Sequence, residues 1–241
     1  MEPGTVVLLH SPLVGVESWG AVPEALRLGG AAVLAARVDG DDRPPYAGRY
    51  VAQAAARVLE AAPAPASPLV LTGHSGAGPL LAAVGAALRA GGRRAGGYLF
   101  CDAGLPVDRG RQATRLDLLA EEDPAMAAGF RAELEAGGRF PGWTDRDLAP
   151  LVPDPATRAA LLAGLRPRGL DFFTEPLPGG PPSWPDAPCG YLHLSAAYDT
   201  WLERAEALGW PAASLRAGHF HALVDPDGLA AAMLALLAAR M

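Results

Sequence analysis

At 241 residues, half of them hydrophobic, the chain can bury one sizeable core with an insertion, or two smaller ones. A formal charge of −6, with no basic run longer than Arg93-Arg94, argues against nucleic acid as a partner. The longest nearly apolar stretch, Leu229 to Ala239, falls short of the roughly 20 residues that span a bilayer, and Glu2 precedes no basic leader, so a cytoplasmic protein without a membrane partner is expected.

Short β-branched or leucine-rich runs recur along the chain at Thr5 to Leu9, Ala32 to Val38, Leu69 to Thr72, Gly97 to Cys101, Tyr191 to Ser195 and Ala213 to Arg216. Continuous apolar runs suit strands covered on both faces. Helical spacing separates them. Tyr50, Ala54, Val58 and Ala61 share one face, as do Leu80, Val84 and Leu88, and Leu229, Met233 and Leu236. Alternating strands and helices imply right-handed crossovers and a parallel sheet. The expected fold class is therefore α/β, a doubly wound, mostly parallel sheet. Ala62 to Pro68, rich in Ala and Pro, reads as a surface loop.

The alternation breaks between residues 105 and 187. Helices are expected there over Gln112 to Glu121, Pro124 to Glu135, Thr144 to Leu151 and Asp154 to Leu165, the last capped by Asp154 with Pro155 in its first turn. Glu175 to Pro188 is Pro/Gly-rich and reads as an irregular return to the sheet. The division is thus a core of residues 1–104 and 188–241 with a helical insertion at 105–187.

Leu69 to Gly78 reads Leu-Val-Leu-Thr-Gly-His-Ser-Gly-Ala-Gly and runs on into an Ala/Leu-rich helix. A strand, a sharp turn and a helix with Ser75 at the apex is the context in which backbone strain presents a serine hydroxyl to a base. Functional groups of open parallel sheets gather beyond the carboxyl ends of the strands. Those ends carry His10-Ser11-Pro12, Asp39, Ser75, Asp102, Asp199 and Gly218-His219-Phe220-His221. A base must take the proton of Ser75 and a carboxylate must orient that base. His219 and Asp199 fit by position, with His221 as the alternative base and Asp102 as the alternative acid. Asp199 can also be read as the cap of a helix over Thr200 to Leu208. His74 reads as a packing residue under the turn. Arg109, Arg111 and Arg115 read as a solvated face, with a site for an anionic acyl group or phosphopantetheine as the other reading. The five histidines lack acidic or thiol neighbours at ligand spacing, so neither a metal nor another cofactor is expected. Cys101 and Cys189 read as buried thiols.

Residues 8 to 19, 71 to 78, 100 to 106, 191 to 199 and 218 to 226 together resemble the α/β-hydrolase superfamily, above all its small esterase and hydroxynitrile-lyase-like members. The resemblance spans the core and not the insertion. It implies that residues 105–187 form a helical cap, and that the usual N-terminal antiparallel strands are short or absent. It also implies an oxyanion hole of two backbone N–H groups. Gly76 supplies one, and Pro12, which has no N–H, falls in the slot of the other. Leu13 N–H, the Ser11 hydroxyl, or a defective hole with chemistry other than acyl transfer are the ways to resolve this.

The resulting expectation is a serine hydrolase that cleaves a small-molecule ester or thioester. The alternatives are a non-hydrolytic lyase, isomerase or cyclase on the same scaffold, or an inactive ligand-binding homologue. The sequence leaves substrate and oligomeric state open, a homodimer included.

Overall fold

The computed structural model describes residues 4–61 and 67–239; most of the Ala/Pro-rich loop before the third strand lies outside them. Six strands, β1 (Thr5–Leu9), β2 (Val33–Ala36), β3 (Leu69–Ser75), β4 (Ala95–Ala103), β5 (Cys189–His193) and β6 (Ala212–Ser214), form one sheet in the order β2-β1-β3-β4-β5-β6. Every pairing is parallel. The strand order reverses between β1 and β3, the position at which open parallel sheets generally bind ligands at their carboxyl ends.

The sheet is covered on both faces, as its apolar runs require. Helices α1 (Val22–Leu28), α2 (Tyr46–Ala61) and α3 (Leu81–Ala90) fall between the first four strands. Tyr50, Ala54 and Val58 of α2 bury against Val84 and Leu88 of α3 and against Val7, Leu9 and Leu71 of the sheet. Ala61 closes α2 and is exposed. Trp19, Val22 and Leu26 pack on the other face, with Leu229, Met233 and Leu236 of the C-terminal helix.

Between β4 and β5 come five helices and, among the described residues, no strand: α4 (Arg115–Glu122), α5 (Pro124–Glu135), α6 (Asp145–Leu148), α7 (Pro155–Ala163) and α8 (Leu170–Thr174). Their starts follow from local chemistry. Thr114 and Thr144 each form a capping box with the Asp three residues on, and Asp154 caps α7 ahead of Pro155. The short α8 gives no periodic signal in sequence because its five residues make barely more than one turn. Helix α9 (Asp199–Ala207) joins β5 to β6, and α10 (His221–Val224) and α11 (Pro226–Ala238) close the chain. No helix among the described residues is long and apolar enough to cross a membrane.

Candidate active site

Ser75 is the last residue of β3 and has φ of +56°. A non-glycine residue there costs about 1–2 kcal/mol. The strain turns the chain sharply from β3 into Gly78–Leu80 and α3, which puts the hydroxyl at the apex. Close packing enforces the turn: a Cβ on Gly78 would lie 2.1 Å from the Gly104 carbonyl oxygen, and Ala77 is fully buried. The neighbouring strand carries the second strained residue. Asp102 has φ of +44° and is left over in the pairing, since His74 faces Cys101 while Ser75 faces Ala103. Such a bulge re-aims a side chain. Tyr191 Oη stabilises it, donating to Ala103 O at 2.9 Å and accepting from Ala103 N at 3.3 Å.

The bulge aims the fully buried Asp102 carboxylate across the end of β5. His219 Nδ1 lies 2.7 Å from Oδ2, which also accepts from Ser195 Oγ at 2.6 Å; Leu194 N and Ser195 N donate to Oδ1 at 2.9 and 3.0 Å. Burial by itself would raise this acid. The bonds from His219, Ser195 and Leu194 outweigh burial and hold the carboxyl below its ordinary value. Asp102, not Asp199, is therefore the carboxylate that holds His219. Asp199 is exposed at the start of α9, and its Oδ1 lies 2.9 Å from His193 Nε2. The other nitrogen of His193 meets Ser214 Oγ at 2.8 Å. This second Ser-His-Asp set has its serine on an edge strand at ordinary φ, without the turn that presents Ser75. His221 opens α10, its Nε2 3.9 Å from Asp225, and it does not meet Asp102.

The His219 ring is flanked by two others, His74 at 4.5 Å and Tyr198 at 5.1 Å, the latter within 6° of parallel. His74 Nε2 lies 3.1 Å from His219 O. A carbonyl accepts only, so His74 carries its proton on Nε2 and ties down the loop backbone. Ser75 Oγ makes its hydrogen bond with Tyr198 Oη, at 3.1 Å, and none with His219. Tyr198 is the site residue that strand-end reasoning missed. It precedes Asp199 in the turn that follows β5.

The loop after β1 faces the elbow. A Cβ on Gly76 would stand 3.0 Å from Ser11 Oγ and 3.5 Å from Pro12 Cδ, so the two loops approach closely here and a side chain would press on the Ser11 hydroxyl. The Gly76 N–H has no protein acceptor among the described residues. Leu13 N–H, the first candidate to replace the missing Pro12 N–H, points at Ser11 Oγ at 3.3 Å. Accepting that bond leaves the Ser11 hydroxyl proton free to donate. His10 shapes the loop: its Nε2 accepts from Val38 N at 3.1 Å, so Nδ1 carries the proton and donates to Ser11 O at 2.9 Å. Tyr50 Oη donates to His10 O at 2.6 Å.

The segment between β4 and β5 grips this loop from the other side. Arg166 N donates to Leu13 O at 2.9 Å, and Arg168 reaches Pro12 O at 3.5 Å and Asp41 Oδ1 at 3.0 Å. Trp143 packs edge-on against Phe220, next to His219. Arg115 is not a solvated residue: it is mostly buried, stacks over Phe172 at 3.8 Å and donates to Phe172 O. Burial lowers its pKa to about 10. Arg111 pairs with Glu121 at the surface. Arg109 lines a cleft of about 280 Å³ with Trp184 and Arg204, away from Ser75. Among the described residues no group of three or more His, Cys, Asp or Glu is placed to hold a metal ion.

Burial lowers the pKa of His10 to about 4 and of His74 to about 3. In the unfolded chain both bind protons below about 6.5, so between there and pH 3 the unfolded state holds more protons than the native one. Stability is thus expected to fall from about pH 6.5 downward, by a few kcal/mol in all. Urea midpoints measured from pH 7.5 to 4 check this, and a flat profile above pH 5 contradicts it.

No protein-family model matches the chain, and no curated protein matches it. Solved structures do. An extracellular α/β-hydrolase from a Paenibacillus species, described as sharing structural and functional homology with tobacco Salicylic Acid Binding Protein 2, superposes with a TM-score of 0.74 at 18% identity, covering 97% of this chain and 99% of its own. Tomato Methylketone Synthase I gives 0.70 at 15% identity over the full length of both chains. A pyrethroid hydrolase from Sphingobium faniae JZ-2 gives 0.68 at 16%, covering 98% of each. The parallel sheet, the serine elbow at the end of β3 and these superpositions together establish that the chain has the α/β-hydrolase fold.

Proposed function

We propose that the protein is a serine hydrolase that cleaves a carboxylic ester or thioester of a small molecule through an acyl-enzyme on Ser75. The observation that carries this reading is the 2.7 Å contact from His219 Nδ1 to the buried Asp102. It leaves Nε2 as the ring nitrogen that takes a proton, beside a serine held at a strained apex. In this reading Ser75 Oγ turns from Tyr198 to His219, gives up its proton to Nε2 and bonds to the carbonyl carbon. The carbonyl oxygen takes the negative charge. Collapse expels the alkoxide or thiolate, which receives the proton from His219, and water then repeats the sequence on the acyl-enzyme. Asp102 stays ionised throughout and stabilises the imidazolium.

Gly76 N–H and the Ser11 O–H are the oxyanion donors of this mechanism. The Ser11 hydroxyl is supported over Leu13 N–H because Leu13 is already engaged with it. The insertion serves as a cap whose arginine contacts fix the loop that carries Ser11.

Treatment with a fluorophosphonate is expected to label Ser75, with labelling lost in Ser75→Ala and strongly slowed in His219→Ala. In ester hydrolysis Ser11→Ala is expected to lower kcat by about 10²-fold, the effect of losing one oxyanion donor. Absence of an adduct in the wild type, with His219→Ala indistinguishable from it, refutes the proposal. A second reading, proton transfer or lyase chemistry on the same scaffold, is favoured by the pairing of Ser75 with Tyr198 in place of His219. It predicts little turnover of simple p-nitrophenyl esters.

A further inference from the structure

Tyr198 has no part in the Ser-His-Asp mechanism, yet it touches both reacting groups: its hydroxyl lies 3.1 Å from Ser75 Oγ and its ring stacks on His219. We propose that Tyr198 is a further catalytic residue, donating its O–H to the leaving-group oxygen as the acyl bond breaks. This rests on the hydrolase reading of Ser75.

The geometry supplies the argument. In the tetrahedral intermediate the leaving oxygen and Oγ share one carbon, so a donor within hydrogen-bond reach of Oγ can reach the leaving oxygen with a small rotation of the phenol. Tyr198 stands on the side of the imidazole, which must deliver a proton to that same oxygen. The oxyanion donors approach from the Ser11 and Pro12 side, to which the Tyr198 hydroxyl makes no hydrogen bond, its partner being Ser75 Oγ. No proton changes owner through Tyr198. His219 Nε2 supplies the proton that the leaving alkoxide acquires, and the phenol lends only a hydrogen bond to the charge building there.

The group is also held ready. Tyr198 N donates to Ser195 O at 2.9 Å, and Ser195 is itself locked onto Asp102. The turn that carries the phenol is therefore built on the same carboxylate that orients the base. Burial raises the phenol above its ordinary value, which keeps it a donor at any pH at which the site works.

A donor to the leaving group matters in proportion to how poor that group is. Tyr198→Phe keeps the stacked ring and removes the hydroxyl, so it is expected to lower kcat on a methyl ester by about 10²-fold. The same variant is expected to change kcat on the matching p-nitrophenyl ester less than about threefold, because that phenolate departs without help. KM and the rate of fluorophosphonate labelling of Ser75 should stay near wild type. An equal change on both esters, or a gain in rate on both, overturns the inference and marks Tyr198 as a packing group or a restraint on the serine. A melting temperature within a few degrees of wild type shows that the variant folds. If wild type itself takes no fluorophosphonate adduct, the hydrolase reading fails and carries this inference down with it. A labelled wild type with no leaving-group dependence defeats the inference alone.

Discussion

Asp102→Asn is expected to lower kcat/KM for ester hydrolysis by about 10⁴-fold, the scale seen when the carboxylate of a Ser-His-Asp triad is amidated, whereas Asp199→Asn should leave it within about threefold. The contrast follows from what each carboxylate touches. Asp102 is fully buried and accepts from His219 Nδ1, from Ser195 Oγ and from two backbone N–H groups. An asparagine there must direct its NH2 at one of these partners. If it faces His219 it forces the imidazole into the tautomer with the proton on Nε2, which cannot accept from Ser75. If it faces the backbone, it sets donor against donor at Leu194 and Ser195 and loses about 1–3 kcal/mol of stability as well. Asp199 is 61% exposed and pairs with His193, outside the reacting groups; exposed pairs of this kind contribute little. Parallel kcat/KM measurements on the two variants, with circular dichroism to confirm folding, decide the matter. Retention of activity by Asp102→Asn together with its loss in Asp199→Asn would falsify the assignment.

Asp41→Ala should destabilise the protein by about 3–5 kcal/mol, the cost of stripping one partner from a buried ion pair. Asp41 has no exposed surface; its Oδ1 lies 3.0 Å from Arg168 and 3.3 Å from Arg166, and its Oδ2 has no protein partner. Burial raises its carboxyl and the two guanidinium groups pull against that shift. Removing it leaves the 94%-buried Arg168 without its counter-charge. The double variant Asp41→Leu, Arg168→Met should recover a large part of the loss, because well-packed apolar groups replace such pairs at little cost. Activity reports on a different link. Arg168 also holds the Pro12 carbonyl, so the double variant is expected to regain stability while kcat stays low. Urea unfolding and ester kinetics on the single and double variants separate the two effects. Recovery of both together would show that the arginine does nothing for the Ser11 loop.

The fold was largely legible in the chain. All six strands lie where apolar runs place them: β1, β3, β4 and β5 are buried on both faces and have no polar alternation to blur them, while β2 and β6 are partly buried edges whose short apolar runs sufficed. Four of the five helices between β4 and β5 are legible through periodicity and caps such as Asp154-Pro155. The serine was legible too, since small residues at 73, 76 and 77 are what the packing around a strained apex demands. Gly78, which no motif singled out, proves just as constrained by the carbonyl of Gly104.

The rest depended on contacts that no local pattern encodes. Asp102 and Asp199 both stand at strand ends, and sequence order favours the one on the strand before the histidine. A one-residue bulge opposite Ser75 decides otherwise, because it swings Asp102 out of the β4 ladder and toward His219, and a bulge depends on strand register that only the assembled sheet fixes. Arg115 reads as a surface charge on its helix until Phe172, 57 residues later, covers it. Tyr198 and Ser75 are 123 residues apart, and their contact exists only because β5 lies two strands from β3. Short-range chemistry, the capping, turns and apolar periodicity, thus determined the elements and the strained serine. The carboxylate that meets His219, the hydroxyl facing Gly76 and the phenol beside Ser75 were decided by the sheet, whose strand order and register bring distant residues to one edge.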